Sequence, residues 1–139
     1  MNWLTLGGLN WLGIGLAFVA VFVLGFWWYS PAGFLPVWTR LQGITDADMK
    51  GVEPVPAFGG VVLANLLGTV LLAVLMKALA VESAAGGALT GLVLGLVFKG
   101  GAHAGHNGFA LRPPLITLID TAHDAVGLAV AGFVLALVG

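Results

Sequence analysis

The sequence contains no cysteine and very little charge. Asp, Glu, Lys and Arg make up only 8% of its 139 residues, whereas soluble domains carry about 25%. The absence of cysteine excludes disulfide bonds, thiolate metal sites and cysteine nucleophiles. The net charge of −1 offers no basic surface for a nucleic-acid partner. With 60% hydrophobic residues and a mean hydropathy of +1.07, the chain is predicted to lie in a lipid bilayer.

Residues for covalent catalysis are also scarce. The only serines are Ser30 and Ser83, both at predicted helix ends, and the sequence has no nucleophile elbow, phosphate-binding loop or dinucleotide fingerprint. We therefore expect a non-enzymatic protein rather than an enzyme, and nothing in the sequence requires a cofactor.

Four continuous apolar runs are each long enough to cross a bilayer as a helix, which takes about 20 residues. They predict a single all-α domain, an integral membrane four-helix transmembrane bundle. A membrane barrel would instead show short alternating segments. The first run lacks the basic region that precedes a secretory signal, so we expect it to remain as an anchor. The predicted spans are residues 9–29, 57–79, 84–105 and 114–138.

The long connection over residues 30–56 is too polar to span. Within it, Thr45 followed three residues later by Asp48 matches a capping box, which predicts a short interfacial helix near residues 46–50. The apolar side chains around Trp38 suit the headgroup region. The preceding aromatic residues Trp27-Trp28-Tyr29 suit an anchor at the membrane boundary.

The distribution of basic residues predicts an orientation. Arg40, Lys50 and Arg112 lie on the side of the first and third connections, and Lys77 lies near the other side. By the positive-inside rule, both termini are then expected outside the cytoplasm of a bacterial-type inner membrane.

Polar side chains recur on one face of the third predicted span. Successive residues of a helix turn by about 100°, so Lys99, His103 and His106 are expected within about 60° of one another. The fourth span carries a matching polar face over one to two turns, which consists of Thr117, Asp120, His123 and Asp124.

Antiparallel packing would bring these two faces together. The turn between the spans is short, and Lys99 and Asp120 both lie about 10–12 Å from it. Asn65 on the second span lies at a similar depth and is a third contributor to the polar layer. Because charged groups in a membrane are costly, we predict an ion pair between Lys99 and either Asp120 or Asp124. Two aspartates against one lysine leave an excess acid.

Three interpretations of this cluster stay open. It is a structural pin in an accessory or scaffold subunit, or it lines a polar cavity that handles a proton, a cation or a small polar solute. In the third interpretation it binds a metal, since imidazole and carboxylate groups suit zinc, iron, copper or manganese. No further acid lies deeper toward the opposite side, which counts against a continuous proton or cation pathway across the membrane. The candidate metal ligands are His103, His106, Asp120, His123 and Asp124.

Gly87, Gly91 and Gly95 repeat at four-residue spacing on the third span. Small residues at this spacing let membrane helices approach closely. The groove they form receives either another helix of the same chain or a second subunit. Since four helices bury little surface, a homo-oligomer or a larger membrane complex is a reasonable expectation.

The first connection and the last two spans together resemble a known family. Trp28-Tyr29-Ser30-Pro31 is followed by Phe34, Trp38, Leu41, Gly43 and an acidic short helix, and His106-Asn107 and Arg112-Pro113 precede a fourth span that carries His123. This pattern resembles the small bacterial four-helix membrane proteins catalogued as domain of unknown function 1761. The resemblance implies a four-pass inner-membrane protein and brings no established activity and no catalytic residue.

Overall fold

Six helices make up residues 5–139, the part of the chain that the computed structural model describes. They are α1 (Trp11–Trp28), α2 (Leu35–Gln42), α3 (Asp46–Lys50), α4 (Pro54–Ala78), α5 (Ala84–Phe109) and α6 (Pro114–Val138). The described residues contain no strand. Of the six helices, α1, α4, α5 and α6 are long and apolar enough to cross a membrane. The predicted all-α, four-span architecture is therefore confirmed.

Local capping explains where most of the helices begin. The side chain of Asn10 accepts a hydrogen bond from the Gly13 amide at the start of α1, and Ser83 does the same for the Gly86 amide at the start of α5. Proline occupies the first turn of α2, α4 and α6, where its missing N–H costs nothing. At the far end of the bundle, the Asn10 side chain also donates to the Val138 carbonyl at 3.1 Å.

The predicted capping box in the first connection is confirmed. The Thr45 hydroxyl accepts from the Asp48 amide at 3.3 Å, and the Thr45 amide donates to the Asp48 carboxylate at 2.8 Å. The Thr45 hydroxyl also donates to this carboxylate, and these bonds hold the pKa of Asp48 below its usual value. The surface helix α3 thus begins where the sequence indicated.

Helix α2 is a second surface helix that the sequence analysis missed. Its signals were present, since Pro36 lies in the first turn and Gly43 ends the helix in the left-handed region with a φ of 67°. They were overlooked because the apolar residues were interpreted only as a headgroup-facing segment. This helix positions Trp38 beside the bundle.

Helix α6 is the central helix and packs closely against α5 and α1. The three glycines predicted to mediate helix packing all lie on the α5–α6 contact. A methyl group added at Gly87 would overlap the Gly132 carbonyl, one at Gly91 would overlap the Leu128 carbonyl, and one at Gly95 would overlap the backbone of Ala125. The glycine groove therefore receives a helix of the same chain.

Helix α4 is held mainly through its second half. There, Leu72 and Met76 join Ile14 and Ala17 of α1 and residues of α6 in the buried core. The first half of α4, up to residue 64, is exposed along its whole length. The bundle is thus closed near the second connection and open between α1 and α4 near the first.

One π-helical turn, Gly95–Lys99, interrupts α5. Before it, the residues that face α6 follow four-residue spacing and end at Gly95. The next glycine on this face is Gly100, where an added methyl would lie 2.8 Å from the Thr121 side chain. A spacing of five in place of four rotates the following residues relative to a regular helix. The face that α5 presents to α6 therefore changes at this turn.

Beyond the π turn, α5 is longer than predicted and ends at Phe109 instead of residue 105. The glycine-rich segment does not break the helix because it contains no proline, and the chain first turns at Leu111, which has a φ of 54°. Asn107 is buried, and its side-chain amide donates to the Thr117 hydroxyl of α6 at 3.1 Å. This contact aligns the last turn of α5 with the first turns of α6.

Candidate functional site

The carboxylate of Asp124 is the centre of a polar cluster between α5 and α6. Lys99 Nζ lies 3.3 Å and His103 Nε2 lies 3.1 Å from one carboxylate oxygen, and His123 Nδ1 lies 2.9 Å from the other. Of the two predicted partners of Lys99, the structure selects Asp124. The side chain of Asp124 is only 20% exposed, whereas that of Lys99 is 55% exposed. The lysine therefore reaches the partly buried acid from a more open position.

The second acid, Asp120, has different partners. One of its oxygens accepts from the Tyr29 hydroxyl at 2.7 Å and from the Trp38 indole N–H at 3.0 Å. These two donors come from the end of α1 and from α2, so Asp120 attaches the first connection to α6. Neither aromatic residue was predicted to bind an acid. The sequence did contain two relevant features. It has two aspartates against one lysine in the polar layer, and it has aromatic residues with an O–H or N–H donor in and before the first connection.

The imidazole of His123 lies between the two acids. Its ring centroid is 5.0 Å from that of Tyr29 and 5.8 Å from that of Trp28. Because Nδ1 faces a carboxylate, it carries the proton, and Nε2 of the neutral ring is then an acceptor. Nε2 is buried and has no hydrogen-bond partner within residues 5–139. It points toward α1 at Gly25, where an added methyl would lie only 3.3 Å from it.

His106 does not join this cluster. It was expected on the face of Lys99 and His103, but its side chain is exposed and Asn107 takes the inward position. The π turn is the reason, since the prediction assumed a uniform rotation of about 100° per residue along α5. The remaining predicted residue of this group, Thr117, is the acceptor for Asn107.

The five candidate metal ligands are not assembled into a metal site. Among the described residues, no three His, Asp or Glu side chains form a group that could hold an ion. His103 and His123 contact different oxygens of the Asp124 carboxylate, Asp120 is bonded to two aromatic residues, and His106 faces outward. The metal interpretation therefore lacks the convergent donor atoms that it requires.

A cavity of about 610 Å³ lies beside the cluster, between α1, α4 and α6. Most of its wall is apolar and includes many aromatic rings. Its polar end is formed by Lys99, His123 and Asp124, with Asn65 of α4 nearby. Asn65, predicted to share the polar layer, thus lines the same space as Lys99. The aromatic residues of the wall are Phe22, Phe26, Tyr29, Trp38 and Phe58.

The polar end of the cavity lies toward the end of the bundle that carries the first and third connections. Tyr29 directly follows α1 and bonds to Asp120, so the end of α1 is level with that acid. From Asp120 to the end of α6 at Val138 the helix rises about 27 Å, close to the hydrocarbon thickness of about 30 Å. Asp124 lies about one turn closer to the middle of the bundle than Asp120.

The opposite side of the cavity is closed by apolar packing. Leu128 and Ala131 line its deep end, and Ala131 belongs to the buried core shared by α1, α4 and α6. Within the described residues, no titratable side chain continues the cluster through this core. The arrangement is thus a one-sided pocket with charged groups at its outer end.

Comparisons with known proteins identify the family of this chain. Residues 12–136 match the model of a family described as "Protein of unknown function (DUF1761)". A search of curated proteins found no match, and a search of solved structures found none. The matched range includes all residues that contact Asp120 and Asp124, and it confirms the family resemblance. The chain belongs to the DUF1761 family of proteins of unknown function.

Proposed function

We propose that this protein binds a small amphipathic molecule from one side of the membrane. The observation that supports the proposal is the cavity between α1, α4 and α6, which combines an apolar wall with Lys99, His123 and Asp124 at its outer end. Its volume of about 610 Å³ lies within the range of about 300–1,000 Å³ typical of small-molecule sites. Such a pocket suits a molecule with an apolar body and one polar group.

Binding is favoured over conduction by the distribution of polar residues. The charged side chains are gathered at one end, and the deep end is closed by Leu128, Ala131 and the core behind them. A proton or ion would have no polar partners along the rest of the path. The cluster therefore serves a solute that enters and leaves on the same side, or laterally between α1 and α4.

The side on which the cavity opens follows from the basic residues. Arg40, Lys50 and Arg112 all lie in the connections at this end of the bundle. The positive-inside rule then assigns the cavity to the cytoplasmic face and both termini to the opposite face.

A second candidate is an accessory or scaffold subunit of a membrane complex. It is favoured by the contacts of the two acids, because Asp120 and Asp124 together hold α1, α2 and α5 on α6. In that function the cluster fixes the bundle and the cavity has no ligand. Binding measurements on variants that change only the cavity distinguish the two candidates.

The experiment fills the cavity through Gly68. A methyl group at Gly68 meets no atom within 4 Å, and the residue lines the cavity wall on α4. Gly68→Leu therefore occupies ligand space without displacing other groups. Gly59→Leu is the matched control, since Gly59 is also open on α4 but does not line the cavity.

The probes are tetraphenylphosphonium and tetraphenylborate, two ions of one shape, measured by equilibrium dialysis in phosphatidylcholine nanodiscs with empty nanodiscs subtracted. We expect the wild type and Gly59→Leu to bind one of the ions in a saturable manner. Gly68→Leu should weaken this binding about tenfold or more, because the guest loses its volume. Absence of saturable binding of either ion by the wild type would reject the proposal for molecules of this class.

A further inference from the structure

We infer that the cavity selects a lipophilic organic cation, a deduction that depends on the proposed binding function. The first argument is charge. Among residues 5–139, Lys99 is the only Lys or Arg side chain in the cavity lining, and it faces Asp124. Asp120 lies directly behind the wall, bonded to the lining residues Tyr29 and Trp38. With neutral histidines, one lysine against two carboxylates leaves a net charge of −1.

This excess charge favours a cationic guest. In a pocket surrounded by apolar side chains, an uncompensated charge interacts more strongly with a guest than it would in water. His103 and His123, the remaining titratable groups that face the cluster, both contact Asp124 and can add only positive charge if protonated. A monovalent cation would neutralise the remaining charge of −1.

The second argument is the aromatic wall. Five aromatic rings line the cavity, and aromatic faces attract cations through their quadrupole. Phe26 of α1 and Phe58 of α4 stack across the opening at 6.4 Å, and Tyr29 and Trp38 meet edge to face at 5.9 Å near the polar end. An anionic guest would meet the same negative ring faces and both carboxylates. The wall therefore discriminates against anions.

The apolar composition of the wall also indicates an organic cation instead of a metal ion. A small inorganic cation requires several oxygen or nitrogen ligands to replace its water, and the described residues hold no group of three His, Asp or Glu side chains that could bind one. A large cation with hydrocarbon substituents loses little hydration on entry. Its substituents would contact Phe22 and Leu128, which line the deeper wall.

Lys99 and the guest should compete for Asp124. The Lys99 side chain is 55% exposed, and its nitrogen is 3.3 Å from the carboxylate. Because Lys99 is already in an exposed position, it can move away from Asp124 without breaking buried packing contacts. Replacement of this lysine by glutamine would remove the competitor and make the cluster more negative. A competing lysine thus predicts opposite effects for substitutions of the two ion-pair partners.

The test compares tetraphenylphosphonium with tetraphenylborate, which differ in the sign of charge. In the nanodisc dialysis described above, we expect the wild type to bind the phosphonium at least about tenfold more tightly than the borate. Lys99→Gln should tighten phosphonium binding several-fold, whereas Asp124→Asn should weaken it about tenfold. Glu82→Gln, at an exposed acid of the second connection outside the cavity lining, is the control and should leave binding unchanged.

Each outcome separates this inference from the proposed function. A preference for the borate, or weaker phosphonium binding by Lys99→Gln, would overturn cation selection while leaving a ligand-binding cavity intact. Absence of saturable binding of both ions would reject both proposals. If Asp124→Asn does not fold, the Lys99→Gln variant still decides the sign of the selectivity.

Discussion

Helices α5 and α4 contact the central helix α6 in opposite ways. Helix α5 meets it backbone to backbone through Gly87, Gly91 and Gly95, whereas α4 meets the bundle mainly through larger side chains of its second half. Close approach leaves no space between α5 and α6. The looser contact of α4 leaves the cavity. Small residues therefore decide which side of α6 is structural and which side is able to accept a guest.

The largest effect on stability is expected from a substitution that forces α5 away from α6, so that its contact becomes as loose as that of α4. An alanine at Gly91 would place its methyl group on the Leu128 carbonyl, which forces the two backbones apart. We expect Gly91→Ala to lower the free energy of unfolding by about 3 kcal/mol, measured by titration with sodium dodecyl sulfate in mild detergent micelles.

Gly101→Ala is the matched control for this substitution. Gly101 lies on the same helix, and an added methyl meets no atom within 4 Å. Since alanine favours a helix over glycine by about 0.5–1 kcal/mol, the control should be neutral or slightly stabilising. Equal destabilisation by both variants would show that the close approach at Gly91 does not stabilise the contact between α5 and α6.

A smaller effect is expected where hydrogen bonds replace close packing. The Tyr29 hydroxyl donates to Asp120 at 2.7 Å and holds the end of α1 on α6. Tyr29→Phe should lower the free energy of unfolding by about 1–2 kcal/mol, because a bond to a charged acceptor is lost. It should also speed amide exchange in α2, because Asp120 would keep the Trp38 indole N–H as a donor but lose the Tyr29 hydroxyl.

Ser30→Ala is a local control for the tyrosine variant. Its hydroxyl donates to the Trp27 carbonyl at 2.8 Å, but this bond is exposed and remains within the connection. We expect a change below about 0.5 kcal/mol. A loss as large as that of Tyr29→Phe would indicate that the connection itself, and not its attachment to Asp120, stabilises this end.

The sequence was sufficient for the features that depend on local chemistry. Continuous apolar runs predicted the four long helices, and Thr45 with Asp48 predicted α3. Helical periodicity predicted an ion pair of Lys99 with either Asp120 or Asp124, and the structure pairs it with Asp124 although matched depth pointed to Asp120. These features succeed because hydrophobicity, capping and regular rotation act over a few residues.

The features that failed depend on deviations from regularity or on tertiary contacts. His106 faces outward because the π turn alters the rotation of α5, and no residue type in Gly95–Lys99 announces such a turn. The bonds from Tyr29 and Trp38 to Asp120 join residues far apart in the chain. The cavity reflects the position of α4 relative to α1, which no local pattern contains.

The smallest effect on stability is expected from removing the π turn itself. Positions that face α6 step by five from Gly95 to Gly100, so deletion of the exposed Val97 would restore a regular four-residue step and keep both faces of α5 on α6. We expect the free energy of unfolding to change by less than about 1 kcal/mol. Lys99 directly precedes Gly100 and lies after the deleted residue, so it would keep its position beside Asp124.

The deletion therefore tests whether the packing and the polar cluster both survive without the π turn. Cross-linking of cysteines placed at Gly87 and Gly132, which face each other, would report the α5–α6 contact, and phosphonium binding would report the cluster. An intact contact with unchanged phosphonium binding is expected, since Lys99 still lies beside the acid. If the deletion instead unfolds the bundle, the π turn is required for the close packing of α5 on α6.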